Sequence, residues 1–227
     1  MKKSNFYYDL PEELIAQTPI YPRDNSRLLY YNRCEDKTEH LKFRDIADIL
    51  KSGDVLVINN TKVIYARLYG YDDNGRKYET LLLKRLSLKR WEALLKPARK
   101  ARIGSHITIN ENLKFKVCDV IDNGIRIVEF EYEGVFEHIL SNVGEVPLPP
   151  YITKKLDDKE RYNTIYAKVE GSSAAPTAGL HFTPELLCKL KEKGVEVVEI
   201  LLHVGLGTFR PVKEENILEH KMHEEYY

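Results

Sequence analysis

Three short segments carry residue types suited to binding and transforming a small molecule. The first is Gly171 to Thr183, GSSAAPTAGLHFT. Small side chains there let the backbone approach a ligand closely. The hydroxyls of Ser172 and Thr177, and the N–H groups around Gly179, can grip carboxylate, ribose or phosphate oxygens. The segment runs into a helix start, which favours anionic groups. Equally, it can be a loop at a close packing point, because it matches no phosphate-loop pattern. The second segment is HVGLGTFRPV, His203 to Val212. It leaves a strand, and sites in α/β sheets gather at the carboxyl ends of strands. His203 at the strand end and Arg210 after the glycines suit such a site, though a lone GLG is also an ordinary turn. The third is HKMHEE, where helical spacing sets His220, His223 and Glu224 close together. It is not HExxH and has no nearby Cys or Asp to complete a metal shell. A metal-free acid–base or substrate role, or a solvated helix face, fits it better, and no metal is expected.

Other segments offer charge or stacking. RDNSRLL presents Arg23, Asp24 and Arg27, which can bind phosphate or pair among themselves. RYNTIYA presents Arg161, with Tyr162 and Tyr166 able to stack on a base or to fill a core. KPARKARIG, 96–104, is a basic loop that can touch nucleic-acid backbone or simply face solvent.

The elements that must position these residues fall into three blocks. Phe6–Gln17 reads as a turn and short helix, with Asp9 as cap. Arg27–Tyr31 reads as a strand. Phe43–Leu50 has helical spacing, ended by Gly53. Asp54–Asn59, DVLVIN, reads as a strand buried on both faces. Between about Val63 and Val146 short strand-like runs alternate with turn signals, including DNG at Asp73–Gly75 and at Asp122–Gly124. The helix-like VFEHILSNV closes this block, and the prolines at 147, 149 and 150 follow as a stiff linker. After Tyr151 the α/β character returns. Thr183 caps the helix PELLCKLKEKG, and VEVVEILLHVG reads as a strand. The expected fold is an α/β (α+β) domain, residues 1–62 and 151–227, with a small antiparallel β-barrel, residues 63–150, inserted. DVLVIN and VEVVEILLHV are expected to share a sheet across the insertion.

Composition narrows the class. Apolar residues make up 43% of the 227, enough for a core. Lys+Arg and Asp+Glu are equal at 35, so any nucleic-acid surface must be a local patch. Cys34, Cys118 and Cys188 form no disulfide framework, and a reducing, cytoplasmic compartment is expected. No run is of signal-peptide or membrane-spanning type.

Together, YDLPEELIAQTP, RDNSRLL, GDVLVINNTKV, VPLPPYI, RYNTIYA, GSSAAPTAGLHFT, HVGLGTFRPV and HKMHEE resemble one family over nearly the whole chain. That family is S-adenosylmethionine:tRNA ribosyltransferase-isomerase, of queuosine biosynthesis. APTAGLHFT and HVGLGTFRPV are its most specific pieces. The resemblance implies S-adenosylmethionine as co-substrate, with no permanently bound cofactor. It implies as partner a tRNA carrying 7-aminomethyl-7-deazaguanine in the anticodon, converted to epoxyqueuosine with release of adenine and methionine. It also implies an α/β domain with an inserted barrel, and a further α/β stretch beyond Tyr227, so a C-terminally truncated chain is expected. A monomer is expected, without membrane association.

Under that resemblance, a base removes a proton from the carbon between sulfonium and ribose. His203 or His181 is expected in this role, with Glu224 as the alternative. Ser172, Thr177 and Gly179 are expected to line the methionine or ribose. Arg161 and Arg210 would hold a carboxylate or phosphate, and Tyr162 or Tyr166 would stack on a base. Gly205, Gly207, Thr208, His220 and His223 complete the expected substrate-binding set. Two other readings remain: a non-catalytic RNA-binding module, resting on the barrel and the basic loop, and a metal-dependent hydrolase using the late histidines.

Overall fold

A computed structural model describes the chain except for Asp122, Asn123, Arg210, Tyr226 and the side chains of Leu206 and Phe209. Contacts divide it into two compact units. One comprises Met1–Lys62, Pro149–Gly171 and Ala175–Tyr227; the other comprises Val63–Leu148 and Ser172–Ala174.

In the first unit, β1 (Arg27–Asn32) and β2 (Lys37–Lys42) form an antiparallel hairpin. A 3₁₀ turn, Phe43–Asp45, runs directly into the short helix α1 (Ile46–Ile49). Strand β3 (Val55–Asn59) follows, and β4 (Thr61–Val63) leads out of the unit.

The second unit is a closed antiparallel barrel. Its strands are β5 (Arg67–Asp72), β6 (Lys77–Arg85), β7 (Arg90–Lys96), β8 (His106–Asn110), β9 (Leu113–Val120) and β10 (Ile125–Tyr132). They pair in the order β10-β7-β6-β5-β8-β9, and β9 closes on β10. Alternate residues point inward, so Leu82, Ala93, Val117, Val128 and Phe130 are wholly buried. The helix α2 (Phe136–Val143) buries Phe136 and Leu140. The Phe136 ring lies 5.1 Å from Phe130 and 5.7 Å from Trp91. At the first DNG, Asp72 Oδ1 accepts from the Asn74 and Arg76 amides, and Gly75 takes φ +74°. The second DNG lies mostly outside the described residues.

The chain returns through β11 (Val169–Ser172), which pairs with β4. Thr183 then caps α3 (Pro184–Glu192), its Oγ1 accepting from the Leu186 amide at 3.2 Å. Strand β12 (Glu196–Ile200) pairs in parallel with β3, from Val55↔Glu196 to Asn59↔Ile200. The expected sheet partnership across the insertion is therefore present. One core joins Phe43 and Ala47 to Phe182, Leu186, Leu190 and Val195, with Leu56 of β3 packed against it.

Two expectations are corrected. Strand β3 is not buried on both faces: Val55 and Val57 are 56% and 55% exposed, against 5% for Ile58. Among the described residues its sheet has two strands, and the apolar cluster takes Leu56 from the opposite face. Nor is there a helix over Phe6–Gln17. Lys3–Phe6 and Glu12–Leu14 are single 3₁₀ turns, and Pro11 rather than Asp9 precedes the second. Neither turn buries a side chain, so no apolar face offsets the cost of ordering a longer helix.

Candidate functional site

The carboxyl ends of β3 and β12 are fastened by one side chain. Asn59 Nδ2 donates to the Leu202 carbonyl at 2.8 Å, and its Oδ1 accepts from the amides of Leu202 and Thr61, both at 3.1 Å. This clasp places Thr61 opposite His203. Thr61 is wholly buried, and its hydroxyl is hydrogen-bonded to His203 Nδ1 at 2.8 Å. The imidazole lies flat against Gly171: a Cβ there would sit 2.5 Å from Cε1, so only glycine admits the ring. Desolvation pulls His203 below the ordinary histidine range, so it is neutral at neutral pH. A neutral imidazole fixed through Nδ1 has the geometry of a proton acceptor or donor at Nε2.

Just beyond His203, the chain turns through Leu206–Phe209. The Gly205 amide donates to Glu225 Oε2 at 2.6 Å. Glu225 Oε1 is 2.9 Å from His223 Nε2, and a Cβ on Gly207 would meet the His223 ring at 2.4 Å. The glycines therefore admit the HKMHEE tail against the loop that follows His203.

A second cluster forms where three 3₁₀ turns meet: Arg23–Asn25, Lys159–Tyr162 and Thr177–His181. Arg23 Nη1 donates to the carbonyls of Asn163 at 2.8 Å and Leu180 at 3.2 Å. Arg161 donates to Leu180 O at 3.5 Å and Ile20 O at 3.2 Å. The His181 ring lies 5.1 Å from that of Phe43, tilted by 48°. Desolvation first, then the Arg161 and Arg23 charges, hold His181 below its usual range. Gly179 admits the Tyr166 hydroxyl, which a Cβ would approach to 2.2 Å. Burial pushes Tyr166 up to about 12, so its phenol stays protonated.

Comparison with known proteins places the chain. A family model described as queuosine biosynthesis protein matches residues 3–227. The chain belongs to this family. Among curated relatives of the queuosine biosynthesis family, it is 58% identical to the S-adenosylmethionine:tRNA ribosyltransferase-isomerase of Thermoanaerobacter sp. (strain X514). It is 55% identical to the protein of that name from Clostridioides difficile (strain 630). Each match covers 100% of this chain and 67% of the relative. A solved structure from Thermotoga maritima, S-adenosylmethionine tRNA ribosyltransferase, is 36% identical; the match covers 88% of this chain and 58% of that one, with a TM-score of 0.36.

The residues singled out in this queuosine-family sequence are dispersed unevenly. His203, Gly205, Gly207 and His223 lie along one strand exit and its tail. Arg161, His181, Tyr166 and Gly179 lie in the arginine cluster, and Tyr162 is buried. Ser172 groups with the barrel unit, and its hydroxyl donates to Ala174 O at 2.8 Å. Thr177, Thr208 and Glu224 are exposed. Arg210 lies outside the described residues. Residues 220–225 are not helical, which corrects the spacing argument: the Asn216 cap starts only one turn, Ile217–Glu219. His220 instead meets Glu214 at 3.0 Å, away from the His223 contact. No group of three or more His, Cys, Asp or Glu suited to a metal occurs among the described residues. Sequence reasoning overlooked Asn59 and Thr61. Their signal was available, as polar residues directly after an apolar strand.

Proposed function

We propose that this chain carries the reacting site of an S-adenosylmethionine-dependent tRNA ribosyltransferase-isomerase. The observation that supports this most is 58% identity to a protein of that name, over the whole of this chain. In this reading, S-adenosylmethionine is the ribosyl donor and the acceptor is 7-aminomethyl-7-deazaguanine in the tRNA anticodon. His203 is the base for the carbon next to the sulfonium. Desolvation holds it below the ordinary histidine range, which favours the neutral ring, and Thr61 fixes the ring through Nδ1 while Nε2 takes the proton. The electron pair left on that carbon opens the ribose ring by expelling the ring oxygen, whose pair in turn expels adenine; the amine attacks the opened sugar, and displacement of methionine closes the carbocyclic epoxide.

His181 is the second choice of base, since its Nδ1 is buried. Glu224 is exposed and is the weaker candidate. In this reading Gly205, Gly207, His223 and Gly179 belong to the substrate-binding set. No step is routed through a metal, because the sulfonium already activates its leaving group.

The test is mass spectrometry of adenine and methionine released from S-adenosylmethionine with tRNA bearing the aminomethyl base. It is run on this chain and on one extended to the relatives' full length. Adenine release with an epoxide-bearing tRNA product is expected, and is abolished by His203→Gln. Absence of adenine from both chains overturns the reading.

A further inference from the structure

The Arg23–Arg161–His181 cluster has more positive charge than its surroundings neutralise. Both guanidinium groups are half-buried, and both donate to the same carbonyl, Leu180 O. Their hydrogen bonds run to backbone carbonyls, and neither arginine makes an ion pair among the described residues. One carboxylate, Asp158, acts on both arginines, while its Oδ1 accepts from the Glu160 amide. Asp24, the next acid in the chain, lies 3.5 Å from Arg44 instead. The Nδ1 of His181 is hidden from solvent, with no hydrogen-bond partner among the described residues. Two half-desolvated guanidinium groups side by side repel each other unless an anion joins them. Arginine retains unused donors here: Nε and Nη2 of Arg23 carry no hydrogen bond among the described residues.

We propose that Arg23, Arg161 and His181 form an oxyanion-binding site, taking a carboxylate or phosphate group carried by a substrate. The planar guanidinium forks suit either group, since both accept paired N–H donors. Three separate turns build the site, so the bound anion also ties residues 20–25 to residues 158–164 and 177–181. The source of the anion rests on the transferase reading; the site itself does not. A carboxylate would come from the methionine portion of S-adenosylmethionine, and a phosphate from the RNA backbone.

The test follows the His181 ring proton by NMR in this protein, with His40 and His106 as internal references. Four probes are titrated: inorganic phosphate, S-adenosylmethionine, its decarboxylated form, and an anticodon stem-loop RNA. Phosphate is expected to move the His181 signal and raise its titration midpoint. Arg23→Gln and Arg161→Gln each weaken that response about tenfold or more, and Arg23→Lys weakens it less. A response to S-adenosylmethionine but not to its decarboxylated form assigns the carboxylate. A salt-sensitive response to the RNA assigns the phosphate. If phosphate alone acts, the site stands and the substrate reading falls. If no probe moves His181, or both Gln variants respond like the parent chain, the proposal is overturned.

Discussion

The barrel and the α/β unit are held together by different means. In the barrel, order comes from repetition: six strands share backbone hydrogen bonds around a closed ring, and alternate side chains fill the interior. Among the described residues the α/β unit has two-stranded pairings and many single 3₁₀ turns. Its loops are secured by individual side chains bonded to distant backbone: Asn59 to Leu202, Arg23 to Asn163 and Leu180, Gln17 to Tyr151. Regular structure distributes stability over many equivalent contacts. The residues with chemical potential sit in the other kind of structure, where one side chain decides the local geometry.

Four measurements sharpen or break this contrast. The largest effect is expected from Phe130→Ala in the barrel. Its ring is wholly buried between Phe115 and Phe136, so truncation costs about 3–5 kcal/mol in urea unfolding. A cost below about 1 kcal/mol would break the account of the barrel as a packed interior. Next, Asn59→Ala removes three bonds at once and is expected to cost about 2–4 kcal/mol, from unsatisfied donors and an acceptor. Hydrogen exchange should quicken at the Leu202 and Thr61 amides while barrel amides stay protected. Unchanged exchange at those two amides would show the clasp to be incidental.

Thr61→Val is expected to cost about 1 kcal/mol, because it deletes one hydrogen bond at nearly constant volume. Its main consequence is chemical: ¹⁵N shifts of the His203 ring should report a changed tautomer balance, which Thr61→Ser restores. Indistinguishable spectra would remove Thr61 from any positioning role. The smallest effect concerns pH. His181 and His203 are both held below the usual histidine range, so below about pH 6.5 the unfolded chain binds more protons than the folded one. Their contribution to stability is complete above that pH and is lost as pH falls through 6.5 toward their folded-state values. Melting temperature should therefore decline from pH 7.5 to 5.5, and His181→Asn should flatten the decline. An equal slope in the variant would contradict the assignment.

The same contrast explains what could be read from sequence. The barrel strands follow from period-two alternation, as in WEALL, where Trp91, Ala93 and Leu95 are all buried. Helix α3 follows from its Thr183 cap and Pro184. The parallel pairing of β3 with β12 follows from block order. Irregular parts were less legible. HKMHEE has helical spacing, yet lacks the apolar stripe that would hold a helix down. DVLVIN is apolar throughout, and composition cannot reveal that only one of its faces meets the core. His203 stood out by residue type, but its partner Thr61 is 142 positions away, a separation that no local pattern encodes. Arg23 and Arg161 likewise meet at the carbonyl of Leu180, far from both in sequence.

The Asn59 amide also has a consequence for alignment. A parallel pair of five-residue strands with apolar side chains on both faces has little to distinguish one register from the next. Sliding β12 by one residue would exchange inward and outward side chains. It would also bring a different peptide group to Asn59, whose donor and acceptor are matched to the C=O and N–H of Leu202. A single carboxamide thus works as a ruler, measuring off the distance along the chain at which His203 must fall.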